Sequence, residues 1–216
     1  MTHIAPLPAA LADRHTTWVS QSFSKTPDRF HNLATEGQFP SAMIISCCDS
    51  RVQPTSFFGA KEGDFFVHRN IASLVPPCDP GGPYHGTGAA IEYAVTALKV
   101  QHIVVVGHSL CGGVKGCHDM CRGDAPQLED PASFVGRWVD ILRPAYASVA
   151  DIADEADRLA QLERQAVLLS VQNLTTYPFV QHALETDALT LHGAWISIGK
   201  GTMEHFDPDA GQFVPV

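Results

Sequence analysis

The chain has 216 residues, 45% of them hydrophobic and 17% charged, enough for one large α/β domain with a sizeable core. Its 23 acidic against 14 basic side chains give a formal net charge of −9, which argues against nucleic acid and against an anionic membrane as partners. Between Met1 and Ser20 any apolar run is broken by His3, Asp13, Arg14 and His15, so no secretory signal is expected, and no stretch is long enough to span a bilayer. The six cysteines (47, 48, 78, 111, 117 and 121) then point to a reducing compartment, with the cytoplasm as the expected address.

Residues 7–36 read as two helical pieces. Leu11, His15, Trp18, Val19 and Phe23 fall near helical spacing, and Pro27 opens the second piece ahead of Phe30 and Leu33. Because this arm, residues 1–36, precedes the first core strand, it is expected to pack on a partner subunit; the plainer alternative is that it covers its own sheet. Gly37-Gln38-Phe39-Pro40 turns into a first buried strand, Ala42 to Ser46, and Pro54 starts a short helical turn through Phe58. Phe65 to His68 is a second strand, and the span from Leu74 to His85, with four prolines and two glycines, is a loop.

Thr87 to Val100 carries Ile91, Ala94, Val95 and Leu98 as a helical stripe and leads into a third strand, His102 to Gly107. Another helix opens at Cys111-Gly112-Gly113 and runs to about Met120. Asp130-Pro131 has the form of a helix start, an acidic cap followed by proline, for a helix through Phe134, Trp138 and Ile141. Helices follow from Asp151 to about Asn173 and from Tyr177 to Leu184. Leu189 to Ile198 is a fourth strand, and Gly199-Lys200-Gly201 turns into an antiparallel one, Thr202 to Phe206. The strand–helix–strand order calls for right-handed crossovers. The expected fold is α/β: a mostly parallel sheet of four strands plus a C-terminal antiparallel strand, flanked by helices, in a single domain spanning 1–216.

The chemistry gathers after the first and third strands. Cys47-Cys48-Asp49-Ser50-Arg51 follows one, and His108-Ser109-Leu110-Cys111 follows the other. In an open α/β sheet both segments lie past the carboxyl ends of neighbouring strands and open onto one crevice. Two thiolates and one imidazole suit zinc, and three protein ligands is the catalytic number, with the fourth position free for water. Cys48 points to the other face of the strand and is not expected on the same metal. Asp49 would accept a hydrogen bond from the metal's water, with Arg51 keeping it ionised and off the metal; taken alone, the pair would be a plain loop salt bridge. Cys117 and Cys121, one helical turn apart, read as buried thiols, and Cys78 has no assigned role.

These residues resemble the β-class carbonic anhydrases from about Gly37 to Phe206. The resemblance rests on Cys47-x-Asp49-Ser50-Arg51-Val52, on Phe66 to Ala72, on Gly86 to Val95, on Gly107-His108-x-x-Cys111-Gly112-Gly113, and on Asn173-Leu174-x-Thr176-Tyr177-Pro178. It implies one Zn2+ per chain, held by Cys47, His108 and Cys111, and a zinc lyase that reversibly hydrates carbon dioxide to bicarbonate and a proton by attack of a zinc-bound hydroxide. It implies further that Asp49, paired to Arg51, orients that hydroxide. Gln38 would steady a substrate oxygen in the neighbouring subunit's site, as in the plant-type branch, together with the backbone N–H of Gly112. Phe66, Ile71 and Tyr93 would wall an apolar pocket. A homodimer would be the smallest unit, with tetramers or larger assemblies built from it.

Three positions depart from the family's pattern. The Arg69-Asn70 block ends in Ala72-Ser73 where Ala-Asn is common. Ala97 stands where plant-type members can carry a shuttle histidine, so the proton route is open: His68 and His85 are candidates, with an exposed or core-satisfied histidine the plainer reading of each. Ile44 replaces the tryptophan used by one branch for inhibitory bicarbonate, so Asp49 is expected to stay on Arg51. Two other readings fit the residues: hydrolysis of carbon disulfide or carbonyl sulfide on the same fold and metal, and a structural zinc or redox-sensing module. The last requires a fourth ligand or a labile disulfide and gives the Asp49–Arg51 pair no purpose.

Overall fold

The computed structural model describes residues 3–82 and 85–216. The chain divides into two compact units, Met1–Gln38 and Phe39–Val216. In the first, α1 (Ala9–Gln21) and α2 (Pro27–Glu36) are joined by a single 3-10 turn, and Pro27 occupies the first turn of α2, where its missing N–H costs nothing. Trp18, Phe23 and Phe30 pack against one another in tilted and edge-on contacts with centroids 5.2–5.8 Å apart. No described residue of either helix is fully buried, and Leu11 is half exposed.

The second unit is a six-stranded sheet in the order β2-β1-β3-β4-β5-β6. Strands β1 (Ala42–Cys47), β2 (Phe65–Asn70), β3 (His102–His108) and β4 (Thr190–Ile196) run parallel, and β5 (Met203–Asp207) and β6 (Gln212–Pro215) antiparallel. β6 was not expected from the sequence: it is only four residues long and ends in proline, which an edge strand tolerates. Every residue of β1 is buried, as expected for a central parallel strand rich in isoleucine and methionine.

Helices α3 (Pro54–Phe57), α4 (His85–Glu92), α5 (Gly112–Arg122), α6 (Phe134–Val139), α7 (Arg143–Ala147), α8 (Glu155–Leu174) and α9 (Pro178–Glu185) complete the unit. The loop expected over 74–85 is seen to Gly82; Pro83 and Tyr84 lie outside the described residues, and His85 already belongs to α4. The helix expected over Thr87 to Val100 gives way at Tyr93–Ala97 to a wider π turn, in which the Leu98 N–H bonds the Tyr93 carbonyl. The expected cap at Asp130 is corrected as well. Its carboxylate closes a local turn onto Ala132 N–H, and Ser133 caps α6 through the Gly136 N–H at 2.9 Å.

Helix α8 lies hard against β3. A β-carbon at Gly107 would sit 2.6 Å from Val167 Cγ2, so only glycine admits this approach. The core on this face joins Met43, Ile45, Ile91, Ile103, Val105 and Val167. A second cluster, from Cys47 and Cys111 to Val114, Leu142 and Leu162, surrounds the carboxyl ends of β1 and β3. No helix among the described residues is long and apolar enough to cross a membrane.

Candidate metal centre

Parallel pairing of β1 with β3 sets Ser46 opposite Val106, so Cys47 and His108 emerge at the same edge of the sheet. Cys111 follows three residues later as the cap residue of α5. The ligating atoms of Cys47, His108 and Cys111 all lie within 4.8 Å of one another, and all three residues are buried. Tetrahedral zinc–sulfur bonds of about 2.3 Å would place two sulfurs about 3.8 Å apart, within that range.

The imidazole is set for a cation. His108 Nδ1 donates to the Ser109 carbonyl at 2.9 Å, which leaves Nε2 as the lone-pair nitrogen. That Nε2 is buried and has no hydrogen-bond partner, an orphaned acceptor between two thiols. The Cys47 thiol is pulled down to about 4, chiefly by contact with Cys111 and also by His108 and the Asp49 and Ala72 N–H groups, against the effect of burial. Cys111 is pushed up by its neighbour Cys47 and by burial. Burial pulls the imidazole down, but contact with Cys47 and Ser109 outweighs it. A buried site that gathers two thiols and an imidazole nitrogen with no hydrogen-bond partner fits Zn2+.

Asp49 stands apart from that cluster. Its Oδ1 accepts Arg51 Nε and the Arg51 backbone N–H, both at 2.9 Å, and its Oδ2 accepts Arg51 Nη2 at 2.6 Å. The Arg51 guanidinium therefore holds the Asp49 carboxyl well below the usual carboxylate range. Nη2 of Arg51 also reaches the Leu110 carbonyl at 3.1 Å. Leu110 has φ +57, a left-handed conformation that costs a non-glycine residue on the order of 1 kcal/mol and is common where function dictates the backbone. Gly112 opens α5, and a β-carbon there would meet nothing within 4 Å, so the space beside its backbone is free.

The pocket residues are divided. Ile71 follows β2 and lies against Gly113, where a β-carbon would come within 2.6 Å of its Cγ2. Phe66 pairs with Met43, four residues before Cys47, which is about 13 Å along the strand. It packs on Tyr93 with centroids 5.8 Å apart, and Tyr93 is half exposed on the π turn. One chain thus brings Ile71 to its metal centre but not Phe66 or Tyr93. Gln38 belongs to the first unit. His68 Nε2 lies 3.1 Å from Thr87 Oγ1, and burial pulls this histidine down. With exposed His85 and Cys48 it lines a cavity of about 560 Å³. Ile44 is wholly buried among Ala42, Val106 and Ala194, an apolar setting. Ser73 donates to the Val106 carbonyl at 2.7 Å, so the departure from Ala-Asn keeps a buried hydrogen bond. Cys117 and Cys121 have sulfurs 3.9 Å apart, while His118 between them accepts from Arg158.

Two residues that shape the site have no role assigned by the sequence. Arg69 donates to the carbonyls of Cys47, Asp49 and Val52 at 2.6–2.8 Å and so fixes the loop after β1. Glu163 on α8 accepts the Cys111 N–H; burial pushes its carboxyl up against that bond. The available signal was a charge set in the apolar stripe of Leu159, Leu162 and Ala166.

Residues 42–203 match the model of the family described as carbonic anhydrase. The chain is 34% identical over 194 residues to beta carbonic anhydrase 3 of Arabidopsis thaliana, covering 88% of this chain and 73% of that protein. The structure of the beta-carbonic anhydrase CcaA superposes with a TM-score of 0.87 at 30% identity, over 96% of this chain and 91% of that one. One of two tetrameric beta-carbonic anhydrases from the ascomycete Sordaria macrospora gives 0.77 at 31% identity, over 95% and 98%. With the four parallel strands and Cys47, Asp49, Arg51, His108 and Cys111 inside the matched span, the chain belongs to the β-class carbonic anhydrases, a family of lyases.

Proposed function

We propose that this chain catalyses the zinc-dependent, reversible hydration of carbon dioxide to bicarbonate and a proton, with one Zn2+ per chain on Cys47, His108 and Cys111. The orphaned Nε2 of His108 between two thiols carries this reading. Zinc bound by Cys47, His108 and Cys111 would supply Lewis acidity, enough to bring the pKa of a coordinated water from 15.7 to about 7. Everything else is done by the chain. Asp49, kept charged by Arg51, accepts a hydrogen bond from the reacting water and turns an oxygen lone pair toward carbon dioxide. Because its carboxyl lies so far below the usual range, Asp49 orients the water but does not store the proton. The Gly112 N–H steadies a substrate oxygen.

The working unit is a homodimer. Phe66 lies about 13 Å of strand away from its own centre, with Tyr93 packed on its ring, and we assign both, with Gln38, to the partner's pocket, which Ile71 completes from its own side. The arm of residues 1–36 packs on that partner, and larger assemblies are consistent with the tetramers described for the Sordaria relatives. A structural zinc module is disfavoured because Asp49 is engaged on Arg51 and the described cluster holds three ligands. The test is zinc content together with turnover on carbon dioxide, carbon disulfide and carbonyl sulfide. One zinc per chain with carbon dioxide hydration dominant is expected; turnover confined to the sulfur substrates would replace the assignment, and a fully active monomer in sedimentation would remove the shared pocket.

A further inference from the structure

The peptide joining Leu110 to Cys111 is gripped at both ends. Its carbonyl accepts Arg51 Nη2 at 3.1 Å, and its N–H donates to Glu163 Oε1 at 3.3 Å. The other oxygen of that carboxylate accepts Trp195 Nε1 at 3.1 Å. Glu163 is only 6% exposed. A carboxylate in that position is held by two donors from different elements, the turn after β3 and strand β4. It reaches the turn only because α8 closes onto β3 at Gly107. The peptide it grips follows a left-handed leucine and precedes both a metal-ligating side chain and the first N–H of α5.

We propose that Glu163 is a positioning residue for the metal centre: through the Cys111 N–H it locks the turn that aims the Cys111 sulfur and the Gly112 N–H. The role rests on the zinc reading above. A charged acceptor holds an N–H more tightly than a neutral one, and here it opposes the tendency of Leu110 to leave its left-handed conformation. Arg51 orients Asp49 and grips the same peptide from the exposed side. The acceptor Asp49 and the ligand Cys111 are therefore tied into one unit, with Glu163 as its buried anchor.

The test compares zinc-loaded wild type, Glu163→Gln and Ser170→Ala. Glutamine keeps the shape but offers one acceptor oxygen to two donors, so either the Cys111 N–H or the Trp195 indole faces an amide NH2. Ser170→Ala lies on the same helix and removes the hydroxyl that accepts the Val75 N–H at 3.2 Å, loosening the fold without touching the turn. Zinc release into excess chromogenic chelator is followed at one pH, along with the visible absorption of the cobalt(II)-substituted proteins. We expect Glu163→Gln to release zinc about 10- to 100-fold faster and to alter the cobalt band. Ser170→Ala should melt earlier yet release zinc at the wild-type rate. Release from Glu163→Gln at the wild-type rate, or an equal acceleration in Ser170→Ala, would overturn the role while leaving the metal centre standing. A wild-type chain that takes up no stoichiometric zinc would overturn the centre and this role with it.

Discussion

Replacing Asp49 by asparagine separates orientation from metal binding. In the native loop Oδ1 accepts two Arg51 N–H groups and Oδ2 accepts a third at 2.6 Å, leaving an acceptor site on Oδ2 for the reacting water. Asparagine cannot reproduce this in either orientation. With its oxygen on the Oδ1 side, the amide nitrogen faces Arg51 Nη2, donor against donor. Reversed, it faces the two donors at 2.9 Å. The side chain must swing away and the water loses its acceptor. Misaligning one reacting group commonly costs about 100-fold, equivalent to about 2.7 kcal/mol of transition-state stabilisation. Stopped-flow hydration with parallel metal analysis reads both quantities. We expect turnover to fall about 100-fold with one zinc per chain retained. Loss of the metal along with activity would show that Asp49 is a ligand, and undiminished turnover would show that it orients nothing.

Cys47→Ser, His108→Ala and Cys111→Ser should each lower bound zinc and abolish hydration, because each removes one of the three converging donors; full activity with stoichiometric zinc in any of them refutes the ligand set. The pH response follows from the sign of the Asp49 shift. Contact with Arg51 depresses its carboxyl, so the pair's contribution is complete above the ordinary value of about 3.9 and is lost only as pH falls below that toward the depressed value. From about pH 6 to 9 the pair should therefore stay closed, with smooth single-step inhibition by bicarbonate; sigmoidal inhibition by bicarbonate would contradict it. Gly107→Ala should destabilise the fold by roughly 1–3 kcal/mol in urea unfolding, because the new methyl meets Val167 Cγ2 at 2.6 Å. Unchanged stability would mean that α8 can retreat from β3 freely, and the contact would lose its meaning for Glu163.

What is local could be read from the residues alone. Runs such as Met43-Ile44-Ile45, short and rich in β-branched residues, read as buried strands, and residues at their ends inherit the crevice, which is why the convergence of Cys47, His108 and Cys111 was legible without coordinates. The Asp49–Arg51 pair was legible for the same reason, since two residues of separation leave little choice of partner. Tertiary structure decided the rest. Whether Asp130 or Ser133 starts α6, and whether Gln212–Pro215 is a strand, depended on neighbours remote in sequence. That Phe66 stands about 13 Å of strand from Cys47 is a matter of register, which periodicity leaves open. Glu163 is the sharpest case. In sequence it is one acid on an amphipathic helix; only the close approach of α8 at Gly107 removes it from water and sets it under Cys111, 52 residues away along the chain. Burial converts an ordinary surface charge into a group that must be hydrogen-bonded, and burial is a property of the packed chain rather than of the residue.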